Sequence, residues 1–342
     1  MTTLMEEPVV RRTSPPALLE LEGLVVDYGF GDTLARAVDG VDLTIHEGEI
    51  LGLAGESGCG KTTIANAVMQ ILRPPGHIAA GTMSFRGENL IGKSEEELRQ
   101  FRWRNVSMVF QSAMNALNPV LRIGDQFVDM MRAHERISKK RSLVRAGSLL
   151  EMVGIDPSRV RSYPHELSGG MRQRVIIAMA LALSPELVIL DEPTTALDVV
   201  VQREILQQFE ALKRELDFAV LFITHDLSLL VEFADRIGIM YAGEIVETAP
   251  ARELFAEAKH PYTQGLLSSF PPLTGPLVRM TGIPGMPPDL GDPPSGCRFH
   301  PRCPHCIPSD GALYKRQLAE KPVLKQVAPG HFVACHLVER DQ

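Results

Sequence analysis

The chain has no apolar run long enough to span a bilayer. Its longest, Val175 to Leu183, is far short of the roughly 20 residues that a membrane helix requires, so any membrane role is expected to come through a partner. Residues 1–17 lack the continuous apolar core of a secretory leader. With Pro8, Pro15 and Pro16 they are expected to form a disordered tail. Positive charge is not in excess either. The 35 Lys and Arg against 42 Asp and Glu give a net charge of −7, which argues against a protein that coats nucleic acid. Cysteine is scarce, five residues in 342, and without a leader this implies a reducing compartment. Four of the five, Cys297, Cys303, Cys306 and Cys335, crowd into the C-terminal end. The remaining composition, 44% hydrophobic and 23% charged, is ordinary for a globular protein. The length suggests two domains, or one large domain with an appendage.

What is present is organised around Glu49 to Thr63. A short apolar strand (Ile50 to Ala54) runs into a glycine-rich turn and then a helix start. Gly55, Gly60, Lys61 and Thr62 fit the spacing G-x-x-x-x-G-K-[ST]. Gly55, Gly58 and Gly60 let the backbone bend so that successive N–H groups face phosphate oxygens. The following helix adds its positive N-terminal end. Lys61 is placed to reach the β- and γ-phosphates and the Thr62 hydroxyl to ligate Mg²⁺. Ser57, Cys59 and Thr63 complete the wall around the nucleotide, with Cys59 as a small filler residue.

Strands and helices alternate along the rest of the chain, which predicts a parallel sheet covered by helices on both faces. The β-rich beginning, 18–54, contains Tyr28, which either stacks on a nucleotide base or packs locally at a strand end. Ser94 and Glu97 form a capping box for a short helix. Arg99, Arg102 and Arg104 around Phe101 and Trp103 read as a solvated helix end rather than a nucleic-acid surface. Val106 to Phe110 is a buried-strand candidate ending at Gln111, and residues 121–153 are mainly helical. Leu187 to Leu190 is an apolar strand finishing in Asp191-Glu192, and Ala219 to Ile223 is followed by His225. In such a sheet, reactive groups collect at the strand C-terminal ends. Gln111, Asp191, His225 and the phosphate loop all fall there. Asp191 can reach Mg²⁺, and Glu192 can polarise an attacking water.

Leu167-Ser168-Gly169-Gly170-Met171-Arg172-Gln173-Arg174 resembles the signature motif of the ABC-type ATPases. The resemblance implies a P-loop α/β fold of ABC type, with a β-rich lead-in subdomain, a helical signature subdomain and an irregular Cys/Pro-rich C-terminal region. It implies that Ser168, Gly169 and Gly170 bind the γ-phosphate of an ATP held by the opposite subunit of a head-to-tail dimer. It also implies roles for single residues. Tyr28 stacks on adenine, Gln111 approaches Mg²⁺ and the γ-phosphate, Asp198 crosses the dimer interface, and His225 holds the attacking water with Glu192. Phe110 to Pro119, His260 to Leu267 and Gly296 to Pro304 are similar to segments of the ATPase subunits of oligopeptide and dipeptide importers. The expected division is a tail at 1–17, an ATPase domain at 18–260 with its helical part at about 112–165, and a C-terminal region at 261–342. Expected partners are a second, homologous ATPase chain, two membrane permeases and an external peptide-binding protein, with no nucleic acid. The expected place is the cytoplasmic face of the cell membrane. Nickel or another small solute is the alternative cargo. A soluble ATPase acting on DNA or ribosomes is disfavoured by the single phosphate loop and the absence of a heptad run.

In that group the C-terminal cysteines resemble a [4Fe–4S] site. This sequence departs from the common spacing. Asp310 stands where the third cysteine usually falls, and Cys306 instead makes a C-x-x-C pair with Cys303. Thiolates suit an iron–sulfur cluster. The same four thiols suit tetrahedral Zn²⁺, with His300, His305, His331 and His336 nearby. Free structural cysteines are the third possibility.

Overall fold

The computed structural model describes residues 15–111, 116–193, 198–269 and 282–338. In chain order the first elements are β1 (Ala17–Tyr28), β2 (Ala35–His46), β3 (Ile50–Ala54), α1 (Lys61–Val68), β4 (His77–Phe85), β5 (Glu88–Asn89), α2 (Glu95–Phe101) and β6 (Val106–Val109). The helical part follows as α3 (Ile123–His134) and α4 (Lys139–Met152), and α5 (Gly169–Ala180) leads back to the sheet. The sheet then resumes with β7 (Leu187–Asp191), α6 (Val199–Leu216), β8 (Ala219–Ile223), α7 (Leu227–Phe233), β9 (Arg236–Tyr241) and β10 (Glu244–Pro250). After α8 (Ala251–Glu257), the C-terminal region supplies α9 (Pro261–Ser268), α10 (Gly311–Ala319), β11 (Lys325–Ala328) and β12 (His331–Val333). β1 starts inside the stretch expected to be a tail, and residues 1–14 lie outside the described ones.

Two sheets carry the fold. One is antiparallel, in the order β2-β1-β4-β5. The other runs β11-β12-β10-β9-β3-β8-β7-β6. Its centre, β9-β3-β8-β7-β6, is parallel. β3, β7 and β8 are buried at every position, which explains their unbroken apolar sequences. The parallel sheet expected from sequence is therefore the centre of a mixed one. β9 and β10 form an antiparallel hairpin, and β12 pairs with β10.

Two apolar cores hold these layers. One lies around β1, β2, β3, α1 and β4, with Leu19, Leu51, Ile64 and Met83 fully buried. The other joins the helical part to the central sheet through Phe127, Leu150, Val175 and Leu190. It extends into the C-terminal region through Tyr262, Cys297 and Phe299. There the rings of Tyr241, Tyr262 and Phe299 meet at centroid distances of 4.6 to 5.5 Å. Burial of this much aromatic surface ties the C-terminal region to the central sheet. Among the described residues no helix is long and apolar enough to cross a membrane.

Candidate functional site: a phosphate loop at the sheet ends

β3 delivers the chain into the phosphate loop, and Gly60 caps α1 in a left-handed conformation. Two glycines here have no substitute. A Cβ on Gly55 would stand 2.1 Å from the Met240 carbonyl oxygen, and one on Gly60 would stand 2.3 Å from that of Ala37. Either contact is inside any tolerable separation, and both positions have positive φ. The buried Lys61 ammonium folds back to donate to the Gly55 and Glu56 carbonyls at 2.7 and 3.0 Å. An incoming phosphate, carrying full negative charge, would compete with these carbonyls for the ammonium. Burial raises the Cys59 thiol above its ordinary range, against the nearby Lys61 charge, so it stays a neutral filler in the loop.

The strand ends bring the other groups to the same place. The Thr62 hydroxyl donates to Asp191 Oδ1 at 3.1 Å. Asp191 is 1% exposed, and burial raises its pKa, with the Thr62 hydrogen bond opposing. A buried carboxylate with few compensating charges is a good partner for a divalent cation. The residues therefore fit Mg²⁺, with Thr62 and Asp191 as holders. Glu192 follows directly, in a left-handed backbone conformation (φ 45°) that its N–H fixes by donating to Ile223 at 2.9 Å. Such strain is confined to places where the surroundings over-determine it. Its two oxygens face Gln111 Nε2 and His225 Nδ1, each at 3.2 Å. Gln111, Glu192 and His225 thus form one constellation beside the Thr62–Asp191 pair.

Ser168 caps α5, its hydroxyl accepting from the Met171 N–H at 3.3 Å. Asp198 caps α6 in the same way from Val201 at 3.0 Å. Ser168, Gly169, Gly170 and Asp198 line one depression of about 520 Å³. It is open and has no phosphate-loop residue in its wall. The structure therefore gathers the expected site residues into two places. Tyr28 is half-buried at the end of β1, its ring against Gly76.

Among the described residues no group of three or more His, Cys, Asp or Glu side chains stands ready to hold a metal ion. The four C-terminal cysteines are free thiols. Burial pushes Cys297 up to about 12 and Cys335 up to about 11, and nearby thiols add to both. Cys303 is raised by burial and by Cys306. Cys297, Cys303 and Cys335 thus lie close enough to act on one another's charge. Sequence reasoning also missed Tyr262 and Arg302, which reach the phosphate loop from the C-terminal region.

A phosphate loop joined to a buried Asp and to a Glu held between Gln and His is the equipment of a P-loop ATPase. Residues 38–195 match the ABC transporter family, and residues 246–309 match the oligopeptide/dipeptide transporter C-terminal region. The chain is 42% identical over 328 residues to the oligopeptide transport ATP-binding protein OppD of Bacillus subtilis (strain 168), covering 95% of this chain and 90% of that one. It is 41% identical over 322 residues to the dipeptide transport ATP-binding protein DppD of Escherichia coli (strain K12), covering 94% and 96%. A dimeric ATP-binding cassette in a post-hydrolysis state, bound to ADP and Pi, superposes with a TM-score of 0.61 at 28% identity, covering 69% of this chain and 99% of its own. The chain belongs to the ABC transporter ATP-binding family, in the group that carries the oligopeptide/dipeptide C-terminal region, and it is an ABC-type ATPase.

Proposed function

We propose that this chain is the ATP-hydrolysing subunit of an importer for dipeptides or oligopeptides. The carrying observation is the union of the assembled phosphate site with a C-terminal region of oligopeptide/dipeptide type in one chain. The proposed division is an ATPase domain at 18–260, with its helical part at about 112–165, and a C-terminal region at 261–342. Loop N–H groups and Lys61 hold the phosphates of ATP. Thr62 and Asp191 hold Mg²⁺, which when bound neutralises charge on the β- and γ-phosphates. Glu192 accepts the proton of the attacking water, with His225 and Gln111 fixing its carboxylate. Tyr28 stacks on adenine. The Ser168–Gly170 surface and Asp198 act on ATP held by a second, homologous ATPase chain. Two permeases take up the motion on the cytoplasmic face of the membrane, and an external peptide-binding protein supplies them.

The test is uptake of labelled dipeptides and oligopeptides by cells that carry Lys61→Ala in place of the native chain. Loss of peptide uptake is expected. Intact peptide uptake with loss of nickel uptake would assign the other cargo. For the cysteines we propose a [4Fe–4S] site on Cys297, Cys303, Cys306 and Cys335. The mutual proximity of Cys297, Cys303 and Cys335, with Cys306 beside Cys303, supports it. Anaerobically purified protein should then show iron and visible absorbance that Cys303→Ser removes. Stoichiometric zinc without iron would overturn it.

A further inference from the structure

We infer that Arg302 and Tyr262 are positioning residues for ATP: the C-terminal region clamps the phosphate loop through Glu56. The phosphate-loop spacing requires nothing of the residue after Gly55, and a carboxylate there repels a triphosphate. In this structure that charge is taken up. Arg302 Nη1 and Nη2 donate to Glu56 Oε2 and Oε1 at 2.6 and 2.9 Å, a bidentate pair. The Arg302 side chain is only 5% exposed. Its Nε donates to the Pro284 carbonyl at 2.8 Å, Nη1 faces the Tyr241 hydroxyl at 3.4 Å, and the guanidinium lies over the Tyr241 ring. The pairing with Glu56, foremost, raises the Arg302 pKa, so the cation is permanent.

The backbone of Glu56 is held as well. Its N–H donates to the Tyr262 hydroxyl at 2.9 Å, and its carbonyl accepts from Lys61 and from the Cys59 N–H. Tyr262 is fully buried, so its hydroxyl is a fixed point. Pro287, Pro288 and Leu290 close the outer side of the loop over a cavity of about 80 Å³. Thus the C-terminal region neutralises the one acid in the loop and fixes one of its peptides. Nothing comparable touches the signature surface from that region among the described contacts.

The inference rests on the phosphate loop binding nucleotide, and the test separates the two. MgATP, MgADP and adenosine binding are titrated on the full chain, with Lys61→Ala as control. Wild-type protein that does not bind MgATP would refute the nucleotide site itself. Arg302→Gln leaves Glu56 unpaired, and MgATP should bind about tenfold more weakly, as expected for loss of a charge-assisted pair. MgADP should lose less and adenosine nothing. The double variant Glu56→Gln/Arg302→Gln should recover to within about threefold of wild type on the same scale. Equal loss for all three ligands, or a double variant as weak as the single, would mean a merely structural role and overturn the clamp. If Arg302→Gln does not fold, Glu56→Gln alone decides: MgATP binding must be unchanged or tighter, and weaker binding refutes the charge argument.

Discussion

The phosphate loop and the signature surface are both anion-seeking helix starts, yet the fold treats them differently. The phosphate loop is enclosed. Its glycines touch neighbouring carbonyls, Lys61 is buried, and Asp191, Glu192, Gln111 and His225 stand beside it. The signature surface has its caps made and little else. Ser168 and Asp198 each satisfy one backbone N–H, and the depression between α5 and α6 stays open. One region is finished by its own chain, and the other, on the function proposed above, is completed by a second subunit. Enclosure lets the first bind tightly, because its dipoles are fixed before the ligand arrives. Openness is what the proposed docking of that surface onto another subunit's ATP requires.

The largest effect that would sharpen this contrast is Glu192→Gln. In the assembled complex, hydrolysis should fall at least about 100-fold while MgATP binding to the chain persists, as for loss of a general base. Turnover at the wild-type rate would remove Glu192 from its role. Next is Gly170→Asp, which places an anion on the signature surface. Hydrolysis by the complex should fall roughly tenfold, while MgATP binding to the isolated chain stays within about twofold. Weakened binding by the isolated chain would break the separation of the two regions.

A third, smaller effect concerns what supports the phosphate loop. His260 caps α9, which carries Tyr262, and its ring nitrogen accepts from the Tyr262 N–H at 3.0 Å. Burial lowers its pKa from the ordinary 6.5 to about 3. The unfolded chain takes up this proton first, so the associated stability is present above pH 6.5 and is lost as pH falls towards 3. The slope from this group is at most about 1.4 kcal/mol per pH unit. Melting curves of wild type from pH 7.5 to 4 should therefore decline more steeply than those of His260→Asn. Identical slopes would contradict a neutral, buried His260. The smallest effect is a control outside both regions. Ser94→Ala removes the capping box of α2 and should cost about 1 kcal/mol of unfolding free energy, read from denaturant unfolding, with ATP binding unchanged.

Much of this was legible in the sequence because its causes are local. Gly55 and Gly60 are needed by the turn they occupy. Leu187 to Leu190 is apolar because that strand is buried on both faces. Gln111, Asp191 and His225 are at strand ends by the alternation of elements. The capping box of Ser94 and Glu97 is written in four residues. The C-terminal region was less legible. β12 has three residues, too few for a period to register, and it joins the sheet by pairing with β10, more than eighty residues away in sequence. Arg302 lies 246 residues from Glu56, and Tyr262 lies 206 from it. No local pattern names such partners. The one available signal was the acid itself: a Glu inside a phosphate cradle requires a cation, and the sequence does not say which.

The most direct measurement is the hydrolysis rate per chain as the purified protein is diluted, with its monomeric state checked by sedimentation. If each pocket needs another subunit's signature surface, monomer binds MgATP but its hydrolysis falls to background, and addition of the partner ATPase and permeases restores it. A constant rate per chain in strictly monomeric protein would contradict the division of labour between the two regions.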